Sequence, residues 1–412
     1  MIKIRPFKAS RPPRDKAYLV ATRSYMSYSD QQLDDKLENN PFTFLHVINS
    51  ADIRKLPFGE SKYKKVKENF HLFEEEDIFR EDEKEGFYLY RQVKDGNEYI
   101  GIISAVSVLD YQNGKIKKHE NTLTQREEMF TDYLETTGFN AEPVLLTYKD
   151  DLRLDRIFAR YIEKRPEYEF TSTDRVLHQM WVIDDSKDIE NISLAFKDQE
   201  ALYIADGHHR SASSSKLFER AKEKGVGEDS LQAYFMAFLI GEEQMKIYDF
   251  NRLVKGLNDL SKNQLIKALQ KDFLIEKKQN EAYRPGKLHE ISMYLKGEWY
   301  KLVPKTGTFD PGDAIDHLDT RILSKLILKP ILGIKNLKTD QRIGFLPGTE
   351  GLDGLQRKVD NKEFDIAFAL FPVTIKQLKR VADENETMPP KSTYIEPKLR
   401  SGLTVYKFGS KD

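Results

Sequence analysis

A mixed α/β fold, α+β in character at both ends, is predicted by three features of this 412-residue chain. Short apolar runs of the kind that form buried strands recur along its whole length, and charged amphipathic stretches with helical spacing separate them. Two strand-like runs, at 87–92 and 99–108, flank the polar turn Lys94-Asp95-Gly96-Asn97, which reads as a hairpin. Residues 202–220 spell strand, tight turn and helix: apolar Leu202-Tyr203-Ile204-Ala205, then the turn signal Asp206-Gly207, then a helical stretch from Ser211.

The individual elements follow in chain order. Runs at 2–7 and 18–21 read as strands around the Pro12-Pro13 turn region, and 30–38 as a helix. Phe42-Thr43-Phe44-Leu45-His46-Val47-Ile48 is aromatic and β-branched, which predicts a buried strand. A charged amphipathic helix is expected at 63–76. Thr124-Gln125-Arg126-Glu127 has the capping-box pattern and opens a helix over 124–134. Strands are expected at 143–148, 178–183 and 233–240, and helices at 152–164 and 189–197. In the last third, 265–274 reads as a helix, 291–295 and 299–303 as a strand pair around Lys296-Gly297, and 318–326 and 352–359 as helices. Residues 364–371 read as a strand and 374–382 as a helix.

Length leaves room for two or three domains, and 39% hydrophobic with 32% charged residues suits a soluble globular protein. The net charge of -1 offers no global electrostatic case for nucleic acid or an anionic membrane. With no Cys, disulfides, thiolate catalysis and zinc–thiolate sites are excluded. The start, Met1-Ile2-Lys3-Ile4-Arg5-Pro6, lacks the apolar core of a signal peptide, and no uncharged apolar stretch approaches spanning length. A cytoplasmic protein with no membrane partner is the expectation.

Asp206-Gly207-His208-His209-Arg210 is the strongest chemical signal, since the chain has only 8 His in all. A helix start presents backbone N–H groups and the positive end of the helix dipole, which favour an anion. Gly207 lets the backbone approach a ligand, Arg210 can fork onto phosphate oxygens, and His208 and His209 can donate or accept near neutral pH. Asp206 is a candidate to hold Mg²⁺ together with a nucleotide, because Mg²⁺ prefers carboxylate and phosphate oxygens. His208 and His209 point about 100° apart on a helix and do not easily share one ion. The His spacing of zinc proteases is missing. Acid–base chemistry also needs a base. Glu120, beside His119 and just ahead of a helix start, is the candidate. Lys391, Ser392, Thr393, Glu396, Lys398 and Arg400 surround rigid Pro389, Pro390 and Pro397, so this loop can hold a preorganised polar shell for substrate. Asn251 and Arg252 form either a buried polar network or part of that shell.

Lys118-His119-Glu120, Glu142-Pro143-Val144-Leu145-Leu146, Tyr203-Ile204-Ala205-Asp206-Gly207-His208-His209-Arg210, Asn251-Arg252, Pro330-Ile331-Leu332-Gly333-Ile334, Met388-Pro389-Pro390-Lys391-Ser392-Thr393 and Glu396-Pro397-Lys398-Leu399-Arg400-Ser401-Gly402 form a series spread over the whole chain. The series resembles that of a bacterial family of uncharacterised domains related to the ParB/sulfiredoxin superfamily. The resemblance implies a ParB/sulfiredoxin-like core at 111–240 with an insertion, an N-terminal α+β extension at 1–110 and a C-terminal one at 241–412. Many members carry a Pro-Tyr-Asp-Val-type segment where this chain has Ala21-Thr22-Arg23-Ser24-Tyr25-Met26, so no role passes to that segment. His119-Glu120 and residues 206–210 are also similar to the motifs of the ADP-dependent free serine kinase. That resemblance implies Glu120 as base with His119 and Asp206 in the catalytic set, and Gly207, His208, His209 and Arg210 as the phosphate grip. ATP or ADP, with Mg²⁺, would be the cofactors, and serine or O-phosphoserine the substrate. Family members are often encoded near serine-biosynthesis enzymes, which points the same way.

Three function classes follow. The first is a phosphotransferase moving phosphate between an adenine nucleotide and serine or O-phosphoserine, in either direction. The second is a ParB-like nucleic-acid-associated factor, disfavoured by the charge of -1 and by the lack of a recognisable helix-turn-helix. The third is a non-catalytic nucleotide or amino-acid sensor. Sulfiredoxin chemistry fails on residue type, because there is no Cys to act on a sulfinic acid.

Overall fold

Residues 1–278 and 281–409 are described by a computed structural model. The chain forms two units. The first comprises Met1–Lys117, Asn121–Met245 and residues 397–409; the second comprises Lys118–Glu120 and Lys246–Glu396.

The first unit is built on a nine-stranded mixed sheet. Its order is Ile116–Lys117, Leu202–Asp206, Val144–Tyr148, Tyr234–Gly241, Asn97–Ser107, Phe87–Lys94, Leu177–Ile183 and Tyr168–Thr171. Ile4–Arg5 pairs with the far end of Asn97–Ser107. The central hairpin forms as its sequence predicts: Lys94 pairs with Asn97, and Asp95 and Gly96 both take positive φ, 49° and 76°. That is the two-residue turn whose twist matches the flanking strands. Tyr234–Gly241 is buried along its whole length, which explains why it reads as a continuous apolar run. Because this one sheet runs from Ile4 to Gly241, no boundary falls at 110, and the expected N-terminal region and core belong to one unit.

Two expected strands near the N-terminus are helices. Residues 18–20 fall in the helix Ala17–Val20, with Ala21 its C-cap; the helix buries Ala17 and Val20 one turn apart and leaves Tyr18 outside. The run at 42–48 turns into the helix Leu45–Asn49. Phe44 and Val47 lie one turn apart there, and both pack into a cluster with Phe70, Phe79 and Phe139. Aromatic and β-branched residues suit any half-buried surface, and here a helical neighbour, Glu60–Glu75, supplies it. The helix Thr124–Thr137 starts one residue away from its expected box: Leu123 is the N-cap, no side chain caps it, and the Thr122 hydroxyl donates to Glu127.

The second unit holds a six-stranded antiparallel sheet in the order Phe273–Lys277, Glu298–Pro304, Ile291–Leu295, Ile366–Leu370, Phe250–Val254, Ile343–Pro347. One face contributes Val254, Met293 and Phe368 to a core with Leu265, Ile322 and Ile327. The other packs Leu253, Tyr294 and Ala369 under Leu355 and Val359 of Gly351–Asp360. The helix expected at 265–274 ends at Leu269, and Phe273 begins an edge strand instead. The helix expected at 318–326 is an α-helix, Asp319–Leu323, that continues as a π-helical turn, Ser324–Leu328. No helix among the described residues is long and apolar enough to cross a membrane.

Candidate functional site

The strand Leu202–Asp206 reaches its end through a bulge. Ile204 faces Leu146 and Asp206 faces Leu145, so Ala205 is an extra residue on that strand. A bulge bends the strand and re-aims the next side chain, and here that side chain is Asp206. Gly207 follows in the left-handed region, φ 100° and ψ 28°, and serves as N-cap of the helix His208–Glu223, with no side chain capping it. The first-turn N–H groups of a helix have no partner within the helix. The turn therefore delivers a carboxylate, a glycine and a helix start to one point.

Arg210 folds back over the glycine. A Cβ on Gly207 would meet Arg210 Nε at 2.9 Å and Nη2 at 3.1 Å. Gly207→Ala is expected to destabilise the protein by about 1 kcal/mol from left-handed backbone strain alone. It should also displace the Arg210 guanidinium. Thermal unfolding and phosphate affinity of the variant check both effects.

Arg210 Nη1 pairs with Glu142 and Nη2 stands 4.0 Å from Asp206 Oδ2. Lys398 Nζ donates to Asp206 Oδ2 at 3.3 Å. Burial alone would raise the Asp206 carboxyl, but the charges of Lys398 and Arg210 outweigh it and hold the group at about 2. Asp206 is thus an anion between two cations, with its side chain half exposed. His208 is buried, and His209 and Arg210 are partly exposed. Within the helix, Ser213 Oγ donates to the His209 carbonyl at 2.7 Å and Ser214 Oγ to that of Arg210 at 2.9 Å.

Arg400 lies elsewhere in the first unit. Its Nη2 donates to both oxygens of Asp174 at 2.7 and 2.9 Å and to Ser172 Oγ at 3.0 Å, and its Nε to His178 Nε2 at 3.3 Å. With a side chain only 6% exposed, it is a structural clamp rather than part of the Asp206 cluster. His178 is driven down to about 3 by burial first and by Arg400 second, so its ring is neutral. Nε2 then accepts from Arg400, and Nδ1–H donates to the Tyr90 hydroxyl at 2.6 Å. Burial would raise Asp174, but the Ser172 hydroxyl and Arg400 hold it at about 2.

Both depressed carboxyls predict the acid limb of stability. Unfolded Asp titrates near ~3.9, so stabilisation from Asp206 and Asp174 is complete above about pH 4 and is lost as pH falls towards 2. The melting temperature of the wild type should drop across that window. Arg400→Met should melt lower at neutral pH, with a flatter profile from pH 4 to 2.

The other candidate residues belong to the second unit. His119 is fully buried and its carbonyl accepts from Met388 N at 2.9 Å, so the His-Glu segment is tied to the Pro-rich loop; Glu120 is partly exposed. Asn251 Oδ1 accepts from Leu370 N at 3.1 Å, a role within the sheet. Arg252 is fully buried. Lys391 Nζ lies 5.3 Å from the centre of the Phe250 ring. Ser392 Oγ donates to the Pro389 carbonyl at 2.7 Å, and Thr393 is partly exposed. Glu396 is buried in Tyr394–Glu396, which pairs with Lys246–Tyr248. The loop expected to hold one polar shell thus serves both units, through residue 396 in the second and from Pro397 in the first.

Sequence reasoning gave Glu142 no role. Its signals are its place in the Glu142-Pro143-Val144-Leu145-Leu146 segment of the motif series and at the start of a strand, and pairing with Arg210 comes from strand order. Among the described residues no group of three or more His, Asp or Glu could hold a metal ion.

A protein-family model described as "Protein of unknown function (DUF1015)" matches residues 4–321. The chain belongs to the DUF1015 family. No curated protein matches it. Among solved structures, this DUF1015 protein is similar to SbnI with a C-terminal truncation from Staphylococcus aureus, at 15% identity and TM-score 0.38, over 74% of this chain and 87% of that one. It is similar to a free serine kinase in complex with AMP at 14% identity and TM-score 0.36, over 74% and 91%. A conserved hypothetical protein from Pyrococcus furiosus gives 16% identity and TM-score 0.33, over 74% and 95%.

Proposed function

We propose that this DUF1015 protein is a phosphotransferase that moves phosphate between an adenine nucleotide and serine or O-phosphoserine. One observation carries the reading. The bulged strand end sets Asp206, Gly207 and the uncapped start of His208–Glu223 at one point, with Arg210 and Lys398 against the carboxylate. Helix N–H groups, a guanidinium and an ammonium are what phosphate oxygens require. The motif resemblance at His119-Glu120 and at residues 206–210 supports the choice of serine.

In this reading an incoming phosphate competes with Glu142 for Arg210 and with Asp206 for Lys398. The motif resemblance gives Glu120 the part of the base that accepts the serine hydroxyl proton as that oxygen bonds to phosphorus, and the nucleotide leaves one phosphate shorter. The reverse direction uses the same groups. Mg²⁺ held with Asp206 would supply charge neutralisation on the phosphates. Gly207 and the helix start bind, and Arg210 orients.

The test is purified protein with serine plus ATP or ADP, and with O-phosphoserine plus ADP or AMP, read by mass spectrometry. Phosphate transfer in any pair supports the reading. No transfer in all of them removes it, and ligand-dependent thermal shifts without turnover would leave a sensor in its place.

A further inference from the structure

Arg252 sits in the middle of Phe250–Val254 and is the largest charged side chain fully buried in the protein's described residues. Its Nη1 donates to the Phe250 carbonyl, its Nη2 to the Pro390 carbonyl at 3.3 Å, and its guanidinium carbon lies 5.0 Å from the centre of the Phe345 ring. Nε–H has no acceptor among the described residues. Burial, with no charged neighbour to offset it, pushes the group down to about 9. Carbonyl oxygens and a ring face repay only part of the cost of burying a cation, and a buried ion without a counter-ion is strongly unfavourable.

The next residue along the loop adds a second cation. Lys391 is exposed, takes φ 57°, and holds its Nζ over the ring of Phe250, the residue whose carbonyl Arg252 binds. The loop is anchored on both sides of Pro390-Lys391. Met388 N bonds the His119 carbonyl at 2.9 Å, and Ser392 Oγ meets Thr320 Oγ1 at 3.1 Å. Between those anchors, the Pro390 carbonyl accepts a long bond from the guanidinium. Nε and Nη2 are the two donors of one guanidinium edge, the edge that takes a carboxylate or phosphate side-on through two parallel bonds. One of them is unused and the other is held loosely.

We propose that Arg252 and Lys391 form a site for a small oxyanion, a carboxylate or phosphoryl group, which takes the Nε/Nη2 edge in place of the Pro390 carbonyl. The site uses residues of the second unit alone, so it stands whether or not the protein transfers phosphate. The full-length protein is titrated by calorimetry, without nucleotide and at constant ionic strength, with inorganic phosphate, serine and O-phosphoserine. Melting temperatures are followed in parallel. Saturable binding of at least one, measured in an Arg210→Lys background that weakens the proposed phosphate grip at the Asp206 turn, and lowered at least tenfold further by Arg252→Met and several-fold by Lys391→Met, is the expected result. Serine binding alone would mark a carboxylate ligand, and inorganic phosphate binding a phosphoryl one. Arg252→Met should also melt no lower than wild type without ligand, because it removes an unbalanced buried charge. Wild-type protein that binds none of the three, or binding in the Arg210→Lys background that survives Arg252→Met, overturns the proposal. So does binding that Arg210→Lys abolishes and Lys391→Met leaves intact.

Discussion

Glu120→Gln is expected to lower single-turnover phosphate transfer by about 10²–10⁴-fold, the usual loss when a general base is removed. The amide keeps the shape and most of the hydrogen bonding of a partly exposed carboxylate, but it cannot take a proton. Nucleotide affinity should stay within about twofold of wild type, because the proposed role is toward the hydroxyl and not toward phosphate. Single-turnover rates and equilibrium nucleotide binding, measured on the same preparation, separate the two. Turnover near wild type would move the base role to another carboxylate, with Asp206 the first to examine. A matched loss of binding would make Glu120 a structural or metal-holding residue instead.

Arg210→Lys is expected to weaken nucleotide or phosphoserine binding about 10- to 100-fold, since a hydrogen bond to a charged group contributes ~1.5–3 kcal/mol. Turnover should fall with it. Lysine keeps one charge but loses the planar fork, which in the wild type spans Glu142 and the Asp206 side of the turn. The fold should survive, because Arg210 is partly exposed and the helix His208–Glu223 is packed by other residues, Leu217 and Phe218 among them. Glu142→Gln provides the converse. It frees Arg210 from its ion pair, so phosphate should bind as tightly as in wild type or more tightly. Weaker binding in Glu142→Gln would show that Glu142 holds the guanidinium in its working pose.

The strand, turn and helix that carry the candidate site are legible in the sequence. Asp206-Gly207 at the end of an apolar run specifies a turn, and only glycine suits φ 100° with a guanidinium folded over it. The hairpin at Asp95-Gly96 was legible for the same reason: both residues adopt positive φ without a large penalty. These are local matters, settled by backbone sterics within four or five residues.

What failed was non-local. Residues 42–48 have the composition of a strand, yet the run turns into the helix Leu45–Asn49 because a helical surface, not a strand edge, lies beside it. Strand propensity measures fit to a half-buried surface and does not say which surface is there. Arg400 and Lys398, two residues apart on one loop, were read alike, but one is clamped by Asp174 and the other meets Asp206. The same limit hid Glu142, whose partner is 68 residues away in sequence and adjacent only through strand order.

Residue order alone specifies a mixed α/β chain, its turn chemistry, the absence of thiol chemistry and the grouping of Asp, Gly, two His and Arg at 206–210. All of these follow from residue type and short-range sterics. The packed fold settles which cations pair with internal carboxylates and which are buried without one. Ion pairing depends on distances between residues that sequence separates, and a guanidinium paired with Asp174 and one buried without a carboxylate are the same letter in the chain.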